Sequence, residues 1–350
     1  MSARRQESPL PERTTTPRPT LEEVAARAGV SRATVSRVVN GGSGVRQPLI
    51  DKVRQAVDEL GYVPNQVARS LVTQRTGAVA VIIAEPEFRV FSDPFFERQV
   101  RGISRELSAH DLQLVLLWVE GESDHERIAR YLSGGHVDGA LAFSLHGDDQ
   151  LAHLIARSRV PYVLGGRPPA TAPPGAPYVD CDNRGGARAA VSHLVSAGRS
   201  RIAHIAGPPD QTSAADRAAG YHDVLVDADP DLVHLGDFTE GSGARAMAAL
   251  LDRCPGLDAV FAANDLMARG ALSALRDRGL RVPEDVAVVG FDDMGDVARG
   301  AVPALTTVRQ DIEGMGRLMV RLLVRRIDHP EQAGADSVIT PTVLVERRSS

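Results

Sequence analysis

From Gly77 onward, short apolar runs rich in β-branched residues alternate with longer amphipathic stretches. The runs include AVAVIIA (78–84), LQLVLLWV (112–119), GALAF (139–143), PYVLG (161–165), RIAHIAG (201–207), AVFAA (259–263) and VAVVGF (286–291). Runs this continuous predict strands covered on both faces. The stretches between them, such as FFERQVRGISRELSAHD, GGARAAVSHLVSAG and LMARGALSALRDRG, carry helical spacing. Two of these end in Gly198 and Gly279, as helix C-termini commonly do. Strand–helix alternation over this length predicts an α/β fold with parallel sheets in two lobes. Ligands in such folds gather in the loops at the carboxyl ends of the strands.

The first part of the chain reads differently. Residues 1–19 hold Pro9, Pro11, Pro17 and Pro19 among polar neighbours and are expected to be a disordered tail. Residues 20–63 predict three short helices. Thr20 with Glu23 forms a capping box, so the first helix begins at Leu21 and buries Val24, Ala25 and Ala28 before Gly29, with Val30 under the turn. Ser31 caps a second helix running to about Val39, with Val35, Val38 and Val39 inward and Arg32, Ala33, Thr34, Ser36 and Arg37 outward. Pro48 suits the first turn of a third helix, whose Leu49, Ile50, Val53, Val57 and Leu60 cover the other two before Gly61. Two helices across a tight glycine turn, the second basic outside, make a helix-turn-helix. A generic three-helix bundle with a basic face gives the same pattern. Residues 64–76 are a connector, either a plain linker or a short helix with Val67, Ala68 and Leu71 on one face. Alone, so short a helix is marginal.

Charge sharpens this division. The net charge is −5 overall, but residues 1–76 carry 12 Lys/Arg against 7 Asp/Glu, leaving 28 against 38 in the remainder. A basic head on an acidic body suits a head that meets polyanions. Cys181 and Cys254 are two thiols with neither metal nor redox spacing, and the ten histidines show no metal or triad pattern. Ser213 lacks a nucleophile-elbow context, and VVGFDD and GGRPP lack phosphate-loop spacing. Neither an enzyme nor a cofactor is expected. Without a signal peptide or a membrane-length apolar run, a cytoplasmic, nucleoid-associated protein with no membrane partner is expected.

The segments VAARAGVSRATVSRVVN and YVPNQVARSL closely resemble the head and hinge of the lactose/galactose repressor family of bacterial regulators. The resemblance continues through NDLMARGAL (264–272), VVGFDD (288–293), LTTVRQD (305–311) and the final LVERRSS. It implies a helix-turn-helix head (20–63), a hinge helix and linker (64–76) and a two-lobed core like the periplasmic binding proteins (77–350). The expected lobes are about 77–177 with 311–338, and about 178–310 with 339–350. By resemblance, Arg32 and Ala33 choose operator bases, Thr34 and Arg37 add groove contacts, and Ser31 and Asn40 meet phosphates. Asn65, Ala68 and Leu71 belong to a hinge helix that forms over the minor groove, where Leu71 wedges into a base step.

The same resemblance puts Asp93, Phe95, Phe96, Arg217, Asn264, Asp292 and Gln310 in the cleft. Relatives more often carry Asn where Asp93 stands, and the extra negative acceptor disfavours an anionic ligand. One of Phe95 and Phe96 is expected to be core, Asp265 is expected to be a loop or capping residue, and for Arg217 and Asp292 the resemblance favours pocket roles over the alternative of a structural ion pair. Polar groups around an aromatic wall suit a polyhydroxylated ligand. The implied function is a sequence-specific DNA-binding regulator, a repressor, controlled by a small effector that is expected to be a sugar. A non-sugar co-repressor or a ligand-responsive activator is the alternative. A homodimer on a pseudo-palindromic double-stranded operator is expected, since no heptad tail precedes Ser350.

Overall fold

The computed structural model describes residues 19–40, 42–63, 75–147, 150–332, 334 and 336–350. They fall into two units, divided between Thr76 and Gly77.

In the first unit, helices α1 (Leu21–Ala28), α2 (Arg32–Val39) and α3 (Gln47–Leu60) start where the capping residues place them. Thr20 Oγ1 accepts the Glu23 N–H at 3.3 Å, and the Thr20 N–H donates to Glu23 Oε2 at 2.8 Å, satisfying two donors that the first turn leaves over. Gly29, at φ 67°, turns the chain in a conformation that favours glycine. Ser31 Oγ then accepts the Thr34 N–H and opens α2. Val24, Val35 and Val53 are fully buried at the centre. Ala56 and Tyr62 complete that centre, whereas Leu49, Ile50, Val57 and Leu60 are only half-buried around it. Residues 64–74, which hold the expected hinge helix, lie outside the described residues.

The second unit begins β1 (Ala78–Ile83), α4 (Glu87–Ser92), α5 (Pro94–Ala109), β2 (Gln113–Trp118), α6 (Glu122–Ser133), β3 (Gly139–Phe143), α7 (Leu151–Arg157), β4 (Tyr162–Gly165), β5 (Tyr178–Cys181). It continues α8 (Asn183–Ser196), β6 (Ile202–Ala206), α9 (Thr212–Val224), β7 (Val233–Leu235), α10 (Glu240–Arg253), β8 (Ala259–Ala262), α11 (Asp265–Asp277). The last elements are β9 (Ala287–Asp292), α12 (Gly295–Gly300), β10 (Thr306–Arg309), α13 (Ile312–Asp328), β11 (Ser337–Thr340) and β12 (Val343–Val345).

Two six-stranded sheets result, ordered β11-β5-β4-β3-β1-β2 and β12-β10-β9-β8-β6-β7. Every pairing is parallel except β10 with β12. Strands β3, β6, β8 and β9 are buried from end to end, as helices on both faces require. Strand β2 departs from the expectation of full cover. It is an edge strand, and from Leu114 to Trp118 its side chains are only half-buried.

The chain crosses between the sheets three times, after β5, after β10 and after β11. Because β5 and β11 both pair within the first sheet, the first and last crossings fall a few residues beyond 178 and 339. Neither strand has an apolar run to announce it: β5 carries buried Asp180, and β11 is an edge strand of alternating exposure. Helix α13 returns to the first sheet and packs on α5 with backbone nearly touching. A Cβ on Gly102 would collide with the Glu313 carbonyl, and one on Gly316 would lie 2.7 Å from the Gln99 oxygen. This crossing holds the α5 start and the α13 start at one end of the sheet, where Asp93 and Gln310 lie.

Candidate functional site

Loops at the carboxyl ends of β1, β4, β8, β9 and β10 face one another across the two lobes and enclose a cavity of about 110 Å³. Asp93, Phe95, Phe96, Arg217, Asn264, Asp292 and Gln310 all line it. The structure thus brings together all seven cleft residues named from the sequence.

Each is held by its element. Asp93 caps α5, accepting the Phe95 N–H at 2.9 Å, with Pro94 at the first helical position. Burial pushes its carboxyl above the ordinary range, against the pull of the Phe95 N–H and of Arg89. Phe96 is the core member of the aromatic pair, stacked on Phe143 at 6.2 Å, while Phe95 stands edge-on to it and half-buried.

Arg217, on α9, is fixed on three sides. Nε donates to Asn183 Oδ1 at 2.9 Å, Nη1 donates to the Ala263 carbonyl at 2.5 Å, and Nη2 lies 3.4 Å from Asp292 Oδ1. Its guanidinium carbon sits 3.7 Å from the centre of the Phe291 ring. Asp292 ends β9 at φ 106° and also accepts the Gln310 Nε2–H at 2.6 Å. Burial raises its carboxyl to about 6, with Arg217 opposing. The ion pair foreseen as an alternative to a pocket role therefore exists, and it lines the cavity as well.

Asn264 is the N-cap of α11: Oδ1 accepts the Met267 N–H, and Nδ2 donates one hydrogen to the Phe238 carbonyl. One amide hydrogen is left for the cavity. The capping role expected of Asp265 therefore belongs to its neighbour. Asp265 is fully buried, accepts the Met294 N–H and the Thr307 hydroxyl, and ties α11 to the loop after β9 and to β10. Burial, then repulsion from Asp292, holds its pKa well above the carboxylate range.

Sequence reasoning missed several residues around the cleft. Asp180 is buried and accepts the backbone N–H groups of Arg167 and Cys181 and one Nδ2–H of Asn183. Polar bridges also join the lobes. Arg167 grips Asp216 with Nε and Nη2 at 3.0 and 2.7 Å. His146 Nδ1 lies 2.6 Å from Asp210 Oδ2, and Gln211 Nε2 donates to Glu85 Oε1 at 2.8 Å. Glu85, His146, Arg167, Asp210 and Gln211 each follow an apolar run by a few residues, a pattern that could have found them, whereas Asp180 and Asp216 carry no such signal.

On the first unit, Ser31, Arg32, Ala33, Arg37 and Asn40 are exposed and Thr34 is half-buried. Arg32 Nε rests 2.9 Å from Glu22 in an exposed pair, easily exchanged for another anion. Ser31 Oγ also lies 2.9 Å from Thr34 Oγ1, and Asn40 Nδ2 donates to Ser36 Oγ. Asn65, Ala68 and Leu71 lie outside the described residues. Among the described residues, no helix is long and apolar enough to cross a membrane, and no group of three or more His, Cys, Asp or Glu is arranged to hold a metal ion.

Comparison with known proteins matches both units. Residues 20–65 match the bacterial regulatory proteins of the lacI family, and residues 191–350 match the periplasmic binding protein-like domain. The HTH-type transcriptional regulator CelR of Thermobifida fusca is 50% identical over 314 residues, covering 89% of this chain and 92% of that one. A transcriptional regulator CelR–cellobiose complex superposes with a TM-score of 0.76 at 47% identity, over 95% of this chain and 100% of that chain. The lac repressor dimer bound to operator and the anti-inducer ONPF gives 0.83 at 30% identity, over 95% and 99%. A capped helix-turn-helix with an exposed basic helix, followed by two parallel sheets closing on a polar cleft, belongs to the lacI family of bacterial DNA-binding transcriptional regulators.

Proposed function

We propose that the protein is a repressor whose hold on its operator is set by a sugar bound between the lobes. The observation that carries this reading is the convergence of seven polar and aromatic side chains, from both sheets, on one enclosed cavity. Asp93, Asp292 and Gln310 supply acceptors for adjacent hydroxyls, Asn264 and Arg217 supply donors, and Phe95 supplies a ring for a sugar's C–H face. Asp93, Asp180 and Asp292 balance Arg89, Arg167 and Arg217 around the cavity, so a neutral polyol suits it better than a phosphorylated effector. The relative solved with cellobiose supports a glycoside. The site is for binding; no reaction is assigned to it.

On the DNA side, Arg32, Ala33, Thr34 and Arg37 read the major groove, Ala33 by apolar contact only. Ser31 and Asn40 meet phosphates, and Asn65, Ala68 and Leu71 act as the minor-groove hinge. Two copies bind a pseudo-palindrome in the cytoplasm. The half-buried apolar edge of β2 supports the pairing of cores, as does a solved relative that is a dimer. A thermal-shift screen of sugars and nucleosides, repeated on Arg217→Ala and Phe95→Ala, tests the reading. A stabilising sugar whose effect both variants lose is expected. Stabilisation by nucleosides alone would replace the sugar.

A further inference from the structure

A second cavity, of about 550 Å³, adjoins the first at the rim of the cleft. Arg89 lines both. Further side chains from both lobes stand at the boundary. Gln211 faces the inner cavity and donates Nε2 to Glu85 Oε1, and the same nitrogen lies 3.1 Å from His146 Nε2. Glu85 and His146 face the outer cavity. Gln211 comes from the second lobe, and Glu85, Arg89 and His146 come from the first. Swinging Gln211 aside would join the cavities without stranding Glu85, which keeps the Ser144 hydroxyl at 2.6 Å and Arg89 Nη1 at 3.1 Å.

The outer chamber repeats the chemistry of the inner one. Glu120 and Asp237 offer carboxylates with lone pairs beyond the local N–H and O–H groups they already accept. Phe88 offers a ring that is 69% exposed. Its helix α4 is anchored from below by Val90, which is buried, and by Arg89, whose guanidinium lies 5.4 Å from the Phe238 ring. Phe88 is thus held at the surface beside a polar chamber. The inner cavity, at about 110 Å³, is well below the roughly 300–1,000 Å³ of ordinary small-molecule sites. A glycoside of several rings has to emerge from it, and Arg89 marks where the outer chamber begins.

We propose that the outer chamber is a second saccharide subsite, where Phe88 stacks on a further sugar ring and Glu120 and Asp237 accept its hydroxyls, so that effector chain length is read at the rim. This rests on the sugar reading of the inner cleft. The test is isothermal titration of the full chain with glucose, cellobiose, cellotriose and cellotetraose, on wild type and on Phe88→Ala, whose exposed position leaves folding out of question. Wild-type affinity is expected to rise with added rings. Phe88→Ala is expected to weaken the longer saccharides by about 2–10-fold, the range for a lost aromatic contact, and to leave the shortest bound one unchanged. Affinity independent of length, or a Phe88→Ala effect that is nil or equal at every length, overturns the outer subsite alone. Silence of the whole series overturns the sugar reading itself, and the subsite with it.

Discussion

Asp292 concentrates the chemistry of the cleft in one side chain. It sits at the end of a buried strand in a backbone conformation that few non-glycine residues adopt, and it receives both Gln310 and Arg217. Burial holds its pKa at about 6. Only the ionised form can accept two sugar hydroxyls without donating one, so effector affinity should rise as pH climbs through 6 and level off near 7. Calorimetric titrations from pH 5 to 8 check this, and a flat profile would remove Asp292 from the contacts. Arg217→Ala should abolish detectable effector binding and lower the melting temperature, because it takes a buried partner from each of Asp292, Asn183 Oδ1 and the Ala263 carbonyl. An unaltered melting curve would mean that water replaces the guanidinium. The cleft residues were legible in the chain through the family resemblance, and Asn264 and Asp292 also because each directly follows an apolar run. How each is spent was not legible: Asp93 and Asn264 are caps as well as cavity walls, and only the local backbone reveals it.

Among the elements, those of the head were the most readable. A capping box, a serine cap and a proline in the first turn are local devices, and local devices survive without knowledge of the fold. Strands β5 and β11 were the least readable. Their identity depends on neighbours far along the chain, and a buried Asp180 or an alternating edge leaves no run of apolar residues. Helix α2 carries the prediction proper to this scale. Arg37 is exposed in its last turn. Arg37→Ala should cost about 1–3 kcal/mol on the true operator and relax one base position. Competition binding against a set of single-base operator variants measures both. Equal losses on operator and random duplex would make Arg37 a phosphate contact.

At the scale of the whole chain, polar side chains fasten the second unit across its cleft, beside the three crossings of the chain. His146 and Asp210 form one such fastening, with Glu85 and Gln211 beside them. The His146 imidazole is raised from 6.5 to about 9, first by its bond to Glu85, with burial opposing and Asp210 helping. A histidine raised in this way lends stability that is full below its unfolded pKa and disappears as pH rises through the folded value. Between pH 6.5 and 9 the core should therefore lose melting temperature, by about 2–4 °C once solvent screening of the partly exposed imidazole is counted. His146→Gln should flatten that decline; an equal slope in the variant would assign it to other groups. On the proposed reading, a sugar between the lobes adds to these fastenings, and by favouring one lobe arrangement it alters whatever that arrangement does to paired heads on DNA. The direct test uses a duplex selected by the purified protein from a random pool. Its dissociation constant is measured by fluorescence anisotropy at fixed salt, with and without saturating cellobiose, beside a scrambled duplex. The account predicts a shift of about 5–150-fold on the selected duplex and none on the scrambled one. Identical affinities with and without sugar, while calorimetry shows the cleft filled, would contradict it.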